Sequence, residues 1–140
     1  MNSSTATQTS FWSLIRAGHL LEERLESSLS EVGLSAAKYG ALHHLVQAKE
    51  PLSLSDLAAK VACVRSNITQ LVDRLESDGL VRRISDPEDR RSVRAEVTPL
   101  GKERHAAGSE RVGAIQKEFA QALSDSDRDA LERALALVKK

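Results

Sequence analysis

Between Arg65 and Arg74 lie six side chains of the kinds that read nucleobases and phosphates: Arg65, Ser66, Asn67, Thr69, Gln70 and Arg74. Asn and Gln can pair with the donor and acceptor edge of adenine, Arg with guanine, and hydroxyls with bases or phosphates. At about 100° per residue, Ser66, Gln70 and Asp73 fall opposite the apolar stripe Ile68, Leu71, Val72 and Leu75, and Asn67, Thr69 and Arg74 flank them. A merely solvated helix face would look the same, so the contact reading depends on its surroundings. Phosphates would repel Asp73, which is expected to orient an arginine instead.

A second group of this chemistry lies in the polar stretch Ser85 to Ser92, which contains Asp86-Pro87-Glu88-Asp89-Arg90-Arg91. An arginine at the tip of a hairpin can enter a minor groove, whose negative potential is strongest where it is narrow. The bland alternative is a solvated charge cluster stiffened by Pro87. Cys63, just before the Ile68 helix, would be biased toward thiolate by the helix dipole, although a small buried thiol is the commoner use of such a residue. His43 and His44 are adjacent, so on a helix they point about 100° apart and cannot easily share an ion; no metal is expected. No Gly-rich phosphate loop, nucleophile elbow or acid/base constellation suggests an enzyme or a cofactor.

The elements that would position these groups are written in the spacing. Leu54, Leu57, Ala58 and Val61 repeat at i, i+3, i+4 and i+7, and the Ile68 stripe repeats the pattern after a short break. Two such helices joined by a turn place the second for the DNA major groove. Ser53 with Asp56 resembles a capping box, and Gly79 suits the left-handed position that closes the second helix. Val93, Ala95 and Val97 alternate with Arg94 and Glu96 as in a half-buried strand, with Leu80 to Ile84 as its partner. Helix, turn, helix and a hairpin with a basic tip make a winged helix-turn-helix.

The run Asn67 to Glu103, NITQLVDRLESDGLVRRISDPEDRRSVRAEVTPLGKE, resembles the core signature of the MarR family of bacterial transcription regulators. The shared elements are the DRLE segment, the Gly79-Leu80-Val81 exit, the DPEDRR wing and the TPLG segment. The flanking helices also fit in length and order, so the resemblance covers nearly the whole chain except its first ten residues. It implies a homodimer with interleaved terminal helices, and a sequence-specific regulator, commonly a repressor, bound to a pseudo-palindromic operator and released by a small ligand or oxidation. It implies that one wing arginine enters the minor groove, with Arg90 favoured and Arg91 the alternative, while Asp89 holds the loop through an ion pair to Arg91 or a neighbouring basic residue. In similar proteins small anionic aromatic ligands bind where the dimer helices meet the reading domain; by placement and chemistry Trp12, Arg16, His19, Tyr39, His43 and His44 are the candidates. Some relatives sense oxidants through a cysteine of the first helix; this chain has none there, which leaves Cys63 as the redox candidate. Zinc-sensing relatives use a closely spaced histidine pair after the wing, where this chain offers only His105.

The expected fold is therefore mainly α with a small antiparallel β wing. Residues 1–10, rich in Ser and Thr, are expected to be a disordered tail; 11–50 and 99–140 form a helical dimerisation region; 51–98 form the DNA-binding domain. Helices are expected from about Phe11 to Glu31, from an N-cap at Ser35 to about Ala48, from about Leu100 to Leu123, and after a Ser124–Asp127 capping box. Leu14, Leu21, Leu25 and Leu29, then Val112, Ile115, Phe119 and Ala122, then Leu131, Ala134, Leu135 and Val138 form stripes with no other layer to bury against, and a second copy would cover them. With 140 residues, one cysteine, no apolar run near the ~20 residues of a membrane span and no apolar signal in Met1 to Ser10, a soluble cytoplasmic protein is expected. Net charge is +0, and eight basic residues between Ser53 and Thr98 meet eight acidic ones. A DNA reader here needs a basic face carved from a neutral body by Arg65, Arg82, Arg83, Arg90, Arg91 and Arg94. The competing reading is a winged helix serving as a protein-interaction module, for which neutrality is natural.

Overall fold

The computed structural model describes residues 3–61 and 67–139. Its elements run α1 (Ser3–Ser30), α2 (Ala36–Ala48), β1 (Leu52–Ser53), α3 (Leu54–Lys60), α4 (Ile68–Ser77), β2 (Val81–Ser85), β3 (Val93–Val97), α5 (Pro99–Ala122) and α6 (Asp125–Val138). The expected tail is corrected from Ser3 onward: residues 3–10 form the first turns of α1, where Thr7 and Thr9 hydroxyls bond back to the carbonyls of Ser3 and Thr5. Such i to i−4 bonds let Thr sit within a helix despite its weak propensity.

Local chemistry sets the helix ends. Ser35, Ser53, Asn67, Thr98 and Ser124 each accept a first-turn amide hydrogen bond through the side chain. Among the described residues only Ser124 with Asp127 completes the reciprocal capping box; Ser53 and Asp56 make one half of it. At the far end of α4, Gly79 at φ +76° donates to Glu76 O while Leu80 N–H reaches Leu75 O. That is a Schellman closure, and it turns the chain directly into β2.

The hairpin pairs as expected, Val81 opposite Val97 through Ser85 opposite Val93. A third strand that the sequence does not announce, β1, adds two residues to the sheet in the order β1-β3-β2. Two residues carry no periodic signal; tertiary placement alone makes them a strand. The core gathers Leu29, Leu34, Leu42, Leu45, Leu57, Leu71, Val72, Leu75, Leu80, Val81 and Ala95 beneath α2, α3, α4 and the sheet. To this core α1 contributes only Leu29; α5 buries only Gly101 and Gly108, and α6 buries no residue. Phe11, Trp12, Leu14, Leu20, Leu21, Phe119, Leu137 and Val138 remain exposed on those three helices.

Candidate nucleic-acid interface

Helix α4 is held by the apolar side of its cylinder, with Leu71, Val72 and Leu75 buried, and it turns Thr69, Gln70, Asp73 and Arg74 to solvent. Asn67, Gln70 and Arg74 follow one another on the edge facing the start of α2, where with Ser35 and Lys38 they line a cleft of about 220 Å³. Asn67 also caps the helix: its Oδ1 accepts the amides of Thr69 and Gln70 at 3.0 and 3.4 Å, and a paired adenine contact would share that same oxygen. Arg65, Ser66 and Cys63 lie outside the described residues.

Of the six arginines expected to form a basic face, the five that are described divide sharply. Arg82 pairs with Glu96 directly across the hairpin. Arg83 reaches Asp73 at 2.5 Å and Glu76 at 2.9 Å, so Asp73 does orient an arginine. Arg94 pairs with Asp86 at 3.2 Å and donates to Pro51 O at 3.3 Å. By contrast Arg90 and Arg91, exposed in the hairpin loop, and Arg74 on α4 have no acidic partner among the described residues.

The wing is fastened differently from the expectation. Asp89 Oδ1 accepts the backbone N–H of Arg91 at 3.0 Å, a turn-forming bond rather than an ion pair. Asp86 supplies the ion pair, and it also accepts the N–H of Glu88 at 3.0 Å. The Glu88 amide and the Arg94 guanidinium hold the Asp86 carboxyl below its ordinary range. The loop is thus tied at its base to the α2–β1 connection, while the side chains of its two tip arginines meet no acidic partner among the described residues.

The six ligand candidates separate. Trp12, Arg16 and His19 sit on the exposed stretch of α1; Trp12 contacts Phe11, and His19 lies 3.9 Å from Glu22. Trp12 precedes Leu29 by 17 residues, about 25 Å along a helix axis. Tyr39 and His43 instead meet two residues of α5 outside the expected ligand set, His105 and Ser109. The Tyr39 ring stacks on His105 with centroids 5.5 Å apart and 6° between planes, and its hydroxyl is 3.1 Å from Ser109 Oγ. His43 Nδ1 lies 3.1 Å from His105 Nε2, and Ser109 Oγ lies 3.3 Å from the same nitrogen. The available signal was spacing: Tyr39/His43 and His105/Ser109 are both i, i+4 pairs. His44 stands beside His43, rings 6.0 Å apart. Among the described residues no group of three or more His, Cys, Asp and Glu side chains could hold a metal ion.

This cluster is expected to make stability depend on pH. A bond between two imidazoles needs one N–H and one lone pair, so it survives while at most one ring is protonated. Burial, then the charge of His43, pushes His105 below the ordinary histidine value of 6.5; burial, then His43 and Lys60, lowers His44. Groups lowered in the folded state take up protons more readily when unfolded, so stability falls as pH drops through 6.5 and the loss is complete below the folded values. The urea midpoint should be flat from pH 8 to 7 and decline from 6.5 to 5, with a shallower decline in His105→Gln. An equal decline in that variant would remove the cluster as its source.

A family model described as MarR family matches residues 34–93. The transcriptional repressor YetL of Bacillus subtilis is 35% identical over 95 residues, which are 67% of this chain and 57% of that protein. The matches to curated relatives span little more than half of those proteins' own length, 56% in two of them. Among solved structures, AbsC of Streptomyces coelicolor, a MarR family transcriptional regulator, is similar with TM-score 0.85 and 26% identity, over 99% of this chain and 94% of that one. Sco3205 of the same organism, also a MarR family transcriptional regulator and solved in complex with DNA, is similar with TM-score 0.82 and 29% identity, over 94% and 84% of the two chains.

Proposed function

Since the chain belongs to the MarR family of transcription regulators, we propose that it is a sequence-specific DNA-binding repressor that acts as a homodimer. The observation that carries this reading is the division of the arginines. Arg74 on the exposed face of α4, and Arg90 and Arg91 at the wing tip, are left without acidic partners among the described residues, in a domain whose remaining wing and strand arginines are neutralised. A neutral chain thereby presents local positive charge where a reading helix and a wing would meet a major and an adjacent minor groove. The exposed apolar side chains of α1, α5 and α6 supply a surface for a second copy. Two copies related by a two-fold axis would set their reading helices about 34 Å apart, so the operator is an imperfect palindrome.

Repression then follows from occupancy of a promoter, and release from any event that changes the spacing of the two reading helices. The family resemblance makes a small anionic aromatic ligand the candidate effector. The Tyr39, His43 and His44 end of the proposed ligand set lies on α2, which packs against α4 and α5, and so lies where an occupant could bias that spacing. Oxidation of Cys63 is the other candidate trigger, and retention of peroxide-induced release in Cys63→Ser would eliminate it. No helix among the described residues is long and apolar enough to cross a membrane; the proposed site of action is the cytoplasm, with no enzymatic activity.

The test is selection of duplexes from a randomised library, followed by a salt titration of the tightest one. Expected is a palindromic consensus bound by a dimer, with log affinity falling linearly in log salt at a slope of about −0.9 for each phosphate neutralised. A winged helix used only for protein contacts, the reading favoured by zero net charge, would yield no consensus and equal binding to scrambled DNA.

A further inference from the structure

We propose that Arg83, which belongs by sequence to the basic face, is a positioning residue that fixes the reading helix against the hairpin and makes no DNA contact of its own. The inference rests on the DNA-binding reading above. Its guanidinium spans two carboxylates of α4, Nη2 to Asp73 at 2.5 Å and Nη1 to Glu76 at 2.9 Å. A planar fork can satisfy two carboxylates three residues apart on one helix face, whereas a point charge can meet only one well.

The backbone takes part as well. Strand β2 is an edge of the three-stranded sheet, and Glu76 Oε2 accepts the N–H of Arg83 at 3.0 Å. One carboxylate thus caps a donor on the open edge and holds the side chain of the same residue. Beyond the end of α4, Lys38 of α2 binds Asp78 at 2.7 Å. The three acidic groups of the reading segment that DNA would repel, Asp73, Glu76 and Asp78, are therefore neutralised from behind by cations on neighbouring elements. With Arg83 at 27% side-chain exposure and both Nη nitrogens engaged, its charge is already balanced by two carboxylates and a phosphate would have to compete with them.

Charge and positioning predict opposite signs, which makes the proposal testable in the full chain. The Asp73→Asn/Glu76→Gln double variant removes two negative charges beside DNA with little change of shape. If these carboxylates only repel phosphate and Arg83 is available to bind it, affinity rises for every duplex. If they anchor the helix through Arg83, affinity for the library-selected duplex falls about tenfold while affinity for a scrambled duplex of equal length is unchanged or higher. Arg83→Lys, which keeps the charge and is the milder change should the double variant fail to fold, gives the second measurement. The clamp predicts weaker binding to the selected duplex at an unaltered salt slope; a phosphate contact predicts wild-type affinity for both duplexes. Tightening on both duplexes in the double variant, or wild-type behaviour of Arg83→Lys, overturns the proposal. A wild-type protein that does not distinguish the two duplexes overturns the DNA reading and the clamp with it, a failure separate from that of a discriminating protein whose variants are indifferent.

Discussion

Gly101→Ala is expected to lower the thermal midpoint by roughly 10 °C, for a cost at or above the ~3 kcal/mol upper range of overpacked cores. A Cβ at Gly101 would lie 2.0 Å from Leu80 O, 2.7 Å from Val97 Cγ2 and 3.0 Å from Leu80 C. Two of these are backbone atoms with no freedom to rotate away. Nor can the elements retreat, because the junction is bonded from both sides. Thr98 N–H donates to Leu80 O at 3.0 Å, Thr98 Oγ1 donates to Gly79 O at 2.6 Å, and the same hydroxyl caps α5 by accepting the Gly101 amide at 3.0 Å. The first turn of α5 is thereby pressed against the exit of α4, so a side chain here would separate the wing from the helix that carries it. Gly40 provides the contrast. It lies within α2 with nothing inside 4 Å of its would-be Cβ, so Gly40→Ala should stabilise by up to about 1 kcal/mol through helix propensity alone. Thermal unfolding of the two variants side by side checks the argument; equal and small effects would show that the α4–β2–α5 junction can yield.

The largest effect on binding is expected from Arg90→Ala: a loss of about 10- to 100-fold in affinity for the selected duplex, with the salt slope shallower by about 0.9. Arg82 and Arg90 are both exposed arginines of one hairpin, but Arg82 is paired with Glu96 across the strands, whereas Arg90 has no acidic partner among the described residues. Arg82→Ala should therefore leave the slope near its wild-type value. The turn bond from Asp89 to Arg91 N–H and the Asp86–Arg94 pair hold the loop in shape, so Arg90 is presented by an ordered hairpin. Anisotropy titrations of the two variants at several salt concentrations separate the cases. Should Arg82→Ala and Arg90→Ala lose affinity and slope equally, the wing tip has no special role and the loop charge acts only as a diffuse field.

Much of this molecule follows from local rules. The repeated i, i+3, i+4, i+7 stripes place Leu57, Leu71, Val72 and Leu75 in the core; the alternation Val93, Ala95, Val97 identifies a strand; Ser35, Ser53, Gly79 and Ser124 mark helix ends where they occur. Each rests on interactions within a few residues, so its signature lies in the neighbouring letters. The family motif extends the reach of that reading, because its close-packed glycine and wing pattern presuppose one fold.

What the letters did not determine is which charges are spent inside the structure. Arg83 meets Asp73 and Glu76 across 10 and 7 positions, Lys38 meets Asp78 across 40, and Tyr39 meets Ser109 across 70. No periodicity encodes these meetings, since every surface arginine looks alike in sequence, and only the docking of α2, α4, α5 and the hairpin selects a partner for some and leaves others free. The same docking assigns the wing's ion pair to Asp86 rather than Asp89 and turns two residues before α3 into a strand. Sequence determined the elements and the faces they bury, because burial follows local period; tertiary structure decided which exposed cations remain for a partner, because ion pairing follows distance in space.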